Sequence, residues 1–243
     1  MLRRYLAKLE SGVYTKRPAV RTLHHTPTTA LWDADRGLGM LAMHTAVAKA
    51  KAHGVGVVVV RNAAHLGGAG YHAMLAAEQG CIGHTMATSE GPPMVVPSGG
   101  AKPRFGTNPI AWAAPSGHAA PFLLDFAVSQ IAGNKVDLAY RNATPLPSGS
   151  VVDNRSGSVI MEPFVPCVPV DVLLKSYSLA PMAGHKGSGL AGIIDILCNS
   201  LAGLPPGWDT EASAQFHLAI DVRAFTPLPC YKVAMDRMLE VRT

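Results

Sequence analysis

The feature that most limits the fold is an alternation of periods between residues 34 and 88. Asp33 or Asp35 can cap a helix running to about His53, with Leu38, Leu41, Met43, Ala46 and Val47 on its apolar face and Gly54 closing it. Val55 to Val60 is a run of valines broken by Gly56, the pattern of a strand covered on both faces. A turn, Ala64-His65-Leu66-Gly67-Gly68-Ala69-Gly70, leads to a helix over 71–79 and a strand over 82–88. Helix, strand, helix, strand predicts an α/β protein. The 243 residues can bury a substantial core without disulfide or metal.

The flanking sequence is less regular. Leu2, Leu6 and Leu9 stand at helical spacing and Gly12 stops the pattern. Residues 13–30 hold prolines and threonines without a period and read as a loop or extended arm. A Gly- and Pro-rich loop covers 89–109. Short strands follow at 110–114 and 122–126, then a helix over about 128–141. Residues 144–184 read as irregular apart from an apolar stretch at 170–174. Residues 187–202 form a helix apolar almost all round, hence deeply buried, and 216–220 a final strand.

Composition narrows the function classes. Hydrophobic residues make up 48% and charged residues 15%, which excludes a disordered chain. The net charge is +5, but Lys and Arg are scattered singly apart from Arg3 and Arg4. That spacing argues against a nucleic-acid partner and suits a small anionic substrate or cofactor. The four cysteines form no Cys-x-x-Cys pair, and His24, His25 and His44 lack nearby carboxylates, so no metal site is signalled. A reduced, cytoplasmic setting follows from the cysteine usage. The basic, amphipathic start offers a weaker mitochondrial alternative, against which Glu10 counts. No run of about 18 apolar residues exists, so no membrane partner is expected.

Three polar, glycine-rich segments stand beside apolar elements. Arg61 to Gly67 follows the valine strand, where α/β folds place ligands; a tight turn with a satisfied His65 reads equally from the pattern. In 97–109, Lys102 and Arg104 among glycines suit phosphate oxygens or a solvated basic loop. Gly184-His185-Lys186-Gly187-Ser188-Gly189 opens the apolar helix, where a lysine is unfavourable unless an anion is present. No Gly-x-Gly-x-x-Gly follows a strand and opens a helix, so the usual dinucleotide fingerprint is missing.

With these segments in order, the chain resembles the malate/L-lactate dehydrogenase family unrelated to the Rossmann-type enzymes. That family includes ureidoglycolate, sulfolactate and diketogulonate dehydrogenases and piperideine-2-carboxylate reductase. The resemblance rests on RNAAHLGGAGYHA (61–73), PSGGAKPRFGTNPIAWAAP (97–115), LLDFAVSQIAGNKV (123–136) and GHKGSGLAGIIDIL (184–197), and spans residues 4 to about 225. It implies a mixed sheet with helices on its faces, sulfolactate-dehydrogenase-like and not a Rossmann fold. The domain expectation is one compact unit over 1–243. The alternative is a discontinuous split, 1–75 with 185–243 as scaffold and 76–184 facing the cofactor.

The resemblance implies hydride transfer between NAD or NADP and C2 of a 2-hydroxy or 2-oxo acid, or of a cyclic imino acid, by a homodimer. It assigns Asp125 and His65 to catalysis, the role of His65 being left open. His185, Lys186, Gly187, Thr88 and Ser89 are assigned to the cofactor, and Thr107 and Asn108 to the substrate. The family's Ser-His-Gly segment and its arginine map upstream of residue 2. Family chains also continue past Thr243, and Ala87-Thr88-Ser89 stands where Thr-Asn is usual. The expectation is therefore a chain truncated at both ends and slow in turnover, or an inactive relative that keeps cofactor binding or serves as a partner subunit.

Overall fold

The valine run lies in the middle of the molecule, covered on both faces. The computed structural model describes residues 2–37, 42–210 and 212–240, with side chains from Tyr5 onward. Leu38, Leu41 and the side chains of Leu2, Arg3 and Arg4 lie outside that set. The elements are α1 (Leu2–Glu10), β1 (Arg21–His25), β2 (Thr29–Asp33), α2 (Ala42–His53), β3 (Val55–Ala63), α3 (Ala69–Ala77), β4 (Cys81–Ala87), β5 (Pro109–Ala114), β6 (Phe122–Ala127) and α4 (Gly133–Asn142). They continue with β7 (Val151–Asp153), β8 (Val159–Ile160), α5 (Val170–Leu173), β9 (Tyr177–Leu179), α6 (His185–Cys198), β10 (Ser213–Asp221) and α7 (Leu228–Glu240).

Seven strands form one mixed sheet in the order β1-β2-β3-β10-β4-β5-β6, in which only β2 and β3 pair in parallel. Side-chain alternation splits β3 between two cores. Val58 and Val60 meet Met43, Ala46 and Ala50 of α2, while Val59 meets Met86, Phe216 and Ala191, Ile194 and Cys198 on the far side. Each buried valine contributes about 1.5–3 kcal/mol. At Gly56 a Cβ would stand 2.0 Å from the Ala46 carbonyl oxygen, so α2 rests directly on the strand. A three-stranded sheet, β8-β7-β9, has its own core with α4, α5, Val95 and Ile131. Residue 75 lies inside α3, whose flanking strands share the large sheet; the second core draws instead on Val95 and residues 131–179.

Several expectations need correction. Residues 13–30 are not simply an arm, because 21–33 forms the β1–β2 hairpin at the sheet margin. Its side chains are mostly exposed, so it shows no apolar alternation. Asp33 caps no helix. It ends β2, buried, and accepts from the Asp35 N–H, Arg61 Nε and Asn62 Nδ2. Burial alone would raise its pKa, but those bonds and Arg21 hold the carboxyl below its usual range. Residues 144–184 contain the small sheet, whose strands of two or three residues are too short to show a period. α6 is not buried all round, since Ile193 and Ile196 are 42% and 55% exposed. On α1 Leu6 is exposed, and Tyr5 and Lys8 reach the neighbouring residues His65 and Glu90. α7 carries no apolar signal strong enough to find it, and none of its residues is buried.

Two expected outcomes follow from this packing. Gly56→Ala forces α2 off β3 and lowers stability by about 1–3 kcal/mol or more, read from the urea midpoint. His217 is fully buried, and that burial, with His72 and His84 facing it, pushes its pKa down to about 3. The unfolded chain takes this proton near pH 6.5 and the fold does not. Stability is therefore full above about 6.5 and declines as pH falls towards 3. His217→Gln, which cannot titrate, should flatten the decline in melting temperature.

Candidate active site

β3 and β4 both run antiparallel to β10, so their C-terminal ends reach the same rim of the sheet, where β10 begins. β5 starts and β6 ends there as well, because Pro109 pairs with Ala127. The rim thus receives His65 after β3, the residues Thr88, Ser89 and Glu90 after β4, and Thr107 and Asn108 before β5. The start of α6 is tied to it, since the Met182 and Gln130 N–H groups donate to the Val128 and Ala180 carbonyls at 2.9 and 2.8 Å.

His65 sits half-buried with a defined tautomer. The Gly67 N–H donates to its Nδ1 at 2.9 Å, so Nδ1 is an acceptor and the proton of the neutral ring is on Nε2. Tyr5 Oη, at 2.7 Å, donates to the same nitrogen. Behind them Tyr14, 5% exposed, donates to the Glu90 carboxylate at 2.6 Å, and Lys8 pairs with Glu90. Burial lowers the His65 pKa below the ordinary histidine value; Glu90 opposes the effect and Lys8 adds to it. Burial, then Glu90, raises the pKa of Tyr5. Tyr14 is raised further by burial and its hydrogen bond to Glu90.

Ser89 is the hub of the rim. Its Oγ accepts from the Thr107 N–H at 3.0 Å and lies 3.1 Å from the Thr107 hydroxyl. Asn108 is 1% exposed at φ +40°; its Oδ1 accepts from the Ser89 N–H and its Nδ2 donates to the Ala191 carbonyl of α6. Thr88 is buried too. Its hydroxyl donates to Asn199 Oδ1 and accepts from the Ala214 N–H. Both side chains are thus engaged inside the protein, stitching α6 and β10 to the rim, whereas Ser89 and Thr107 are only part-buried.

In the first turn of α6, His185 and Lys186 are exposed and Gly187 is buried, a Cβ there falling 2.2 Å from the Met182 carbonyl oxygen. Ser188 Oγ accepts from the Ser98 N–H at 2.7 Å, which brings the second and third polar segments of the sequence together. Arg104 turns aside from them and stacks on Trp208, 5.4 Å from the ring centroid.

Asp125 lies on β6, exposed, and accepts from the Gly70 N–H at 2.9 Å. An acidic group at a helix start is favourable, and only glycine permits this approach, because a Cβ on residue 70 would stand 2.7 Å from Oδ2. Among the described residues Asp125 has no histidine partner; His65 takes its bonds from Tyr5 and Gly67. No group of three His, Cys, Asp or Glu among the described residues is arranged for a metal, and no described helix is long and apolar enough to cross a membrane.

The chain has counterparts among known proteins. The model of the malate/L-lactate dehydrogenase family matches residues 1–242. The chain belongs to that family. Malate dehydrogenase of Pyrococcus horikoshii is 35% identical, over 98% of this chain and 68% of that protein. L-sulfolactate dehydrogenase of Methanocaldococcus jannaschii is 33% identical over 97% and 69%. Ureidoglycolate dehydrogenase (NAD(+)) of Escherichia coli K12 is 35% identical over 97% and 68%. Among solved structures, sulfolactate dehydrogenase from M. jannaschii superposes with a TM-score of 0.83 at 33% identity, covering 98% of this chain and 69% of that one. Malate dehydrogenase from Entamoeba histolytica reaches 0.85 at 26% identity, covering 97% and 70%. The mixed α/β sheet is the family's fold, and the relatives' names are those of dehydrogenases and reductases.

Sequence reasoning missed Lys8, Tyr14 and Glu90, and gave Tyr5 no role. The three-residue spacing of Tyr5 and Lys8, which puts both on one side of α1, was the only local signal. Asn108→Ala should strip the Ser89 N–H and the Ala191 carbonyl of a buried partner. It is expected to cost about 1–3 kcal/mol in chemical denaturation.

Proposed function

We propose that the chain transfers a hydride between NAD or NADP and C2 of a 2-hydroxy or 2-oxo acid, or of a cyclic imino acid, with His65 moving the proton. The observation that carries this reading is the occupied Nδ1 of His65, which leaves Nε2 as the nitrogen that exchanges a proton at the rim. In the reductive direction the imidazolium gives its Nε2 proton to the substrate oxygen or nitrogen. The ring is left neutral with the proton on Nδ1, donated to Tyr5 Oη, and the Gly67 N–H, from which Nδ1 accepts in the resting tautomer, gives up that bond. In the resting tautomer the Tyr5 hydroxyl donates instead, so it can serve both states.

The first turn of α6 suits a dinucleotide. His185 and Lys186 are exposed at the positive end of the helix, where the Lys186, Gly187 and Ser188 N–H groups already donate to the Ala183, Met182 and Gly184 carbonyls, and the glycine-rich turn 98–100 is bonded alongside. Lys186 and His185 would hold its phosphates, with Ser89 and Thr107 nearer the reacting end. A nicotinamide, when bound, supplies or accepts the hydride. The mild positive charge of the chain suits such an anionic substrate and cofactor.

The test is an NADH- and NADPH-oxidation assay over pyruvate, oxaloacetate and a cyclic imino acid. His65→Asn should lower turnover about 10²–10⁴-fold. Reduction needs the imidazolium, so its kcat/KM should fall as pH rises through a value below about 6.5, and oxidation should rise over the same interval. Undiminished turnover in His65→Asn would assign the proton to another group. Lys186→Ala should weaken cofactor binding by about 1–3 kcal/mol in fluorescence titration, from loss of a charge-assisted bond.

A further inference from the structure

Behind His65 lies a chain of buried polar side chains that the proposed chemistry does not touch. On β10, His217 and Gln215 project from the same side of the strand, both 0% exposed. The His217 Nε2–H donates to Gln215 Oε1 at 3.2 Å, so its Nδ1 accepts from the Thr85 hydroxyl at 3.2 Å. Gln215 Nε2 then donates to the Ala64 carbonyl at 3.2 Å. On α3, His72 is 2% exposed and its Nε2–H donates to the Leu66 carbonyl at 3.0 Å. Its ring meets that of His217 edge-on at 5.5 Å. The two backbone carbonyls flanking His65 are therefore each held by a buried donor, one from the sheet and one from the helix.

A further detail separates this arrangement from ordinary packing. With Nε2 carrying the proton, His72 Nδ1 is a buried acceptor, and it has no partner among the described residues. A buried polar atom without a partner works against folding, and an aliphatic side chain would remove that penalty. The fold keeps an imidazole there although its second nitrogen is a liability. What the imidazole provides is the bond to Leu66.

We infer that His72, together with the Thr85–His217–Gln215 chain, is a positioning device that clamps the backbone on both sides of His65 and so fixes the imidazole against Tyr5 and Gly67. The inference rests on the reading of His65 as the proton-moving group, but the clamp can be measured without turnover. Tyr5 and Lys8 of α1, Tyr14, and Glu90 after β4 are the titratable groups around His65. His44 faces His72, and His72 and His84 face His217. Burial lowers the pKa of all three clamp-region rings, His72, His84 and His217, below the ordinary histidine value.

The experiment compares the wild-type chain with His72→Leu and His72→Gln, the second retaining an N–H donor near the position of Nε2. The His65 ring is followed by its Cε1–H resonance in a pH titration, beside melting temperature, NADH affinity and kcat. In His72→Leu the unpaired Nδ1 is removed while the Leu66 carbonyl loses its donor, so the expected melting temperature stays within a few degrees of the wild type. NADH affinity should be unchanged within about twofold, kcat about tenfold lower, and His65 should titrate closer to the ordinary histidine value. His72→Gln should restore both the titration and kcat to within about threefold. A folded His72→Leu with an unchanged His65 titration overturns the clamp. So does a loss of kcat that merely follows a loss of melting temperature and is not rescued by Gln. If His72→Leu does not fold, Gln215→Asn, whose shorter arm releases the Ala64 carbonyl, is expected to lower the melting temperature and to carry the same shift of the His65 titration; a folded Gln215→Asn with an unchanged titration overturns the clamp. Should the wild type turn over no substrate at all, the reading of the reaction fails while the titration still decides the clamp.

Discussion

The insertion of β10 between β3 and β4 is the constraint on which the site depends. Residues 213–221 pair on one side with 55–63 and on the other with 81–87, so two strands far from β10 in sequence end at one rim. Those pairings bury Phe216 and Ala219 against opposite helical layers and bring Ala63 and Ala87 to the start of β10. His65 and residues 88–90 continue the two strands whose ends this arrangement fixes. Without β10 the valine strand would have an open edge, and the residues after β3 and β4 would share no surface.

The rim is then locked by buried hydrogen bonds rather than by apolar contact alone. Thr88 and Asn199 join β4 to the end of α6, and Asn108 ties the entry of β5 to its middle. Such fully partnered networks specify one arrangement, because a slipped alternative would leave several polar groups buried and unpaired. His65 stands at the border of this network and of the Tyr14–Glu90–Lys8 group, partly removed from water. Partial burial is what lowers its pKa, and the same burial would strengthen any hydrogen bond it makes to a substrate oxygen.

Elements with a strong local period were legible in the sequence, whereas those defined by long-range pairing were not. The end of α2 and the elements β3, α3 and β4 were read within a few residues, because valine and alanine periodicity reports burial directly. β1 escaped notice because a margin strand with exposed side chains carries no alternation, β2 because its burial pattern does not alternate, and β7 to β9 because two or three residues define no period. At the site, glycine-flanked polar segments marked His65 and the α6 start. Glu90 gave no signal, since its partners Tyr14 and Lys8 are 76 and 82 residues away. Thr88 and Asn108 stood out as polar residues at strand ends, a pattern that a ligand contact and a buried tether share.

The central claim is that a nicotinamide dinucleotide binds across this one rim, from the α6 start to His65. Hydrogen–deuterium exchange of the chain with and without saturating NADH measures it directly. The account predicts slower exchange in 63–70, 87–90, 97–109 and 180–188 together, four segments that only the rim brings into contact. Protection confined to the cleft of about 500 Å³ between β1 and α2, lined by His25, His44, Lys49 and His53, would contradict it, as would exchange unchanged throughout.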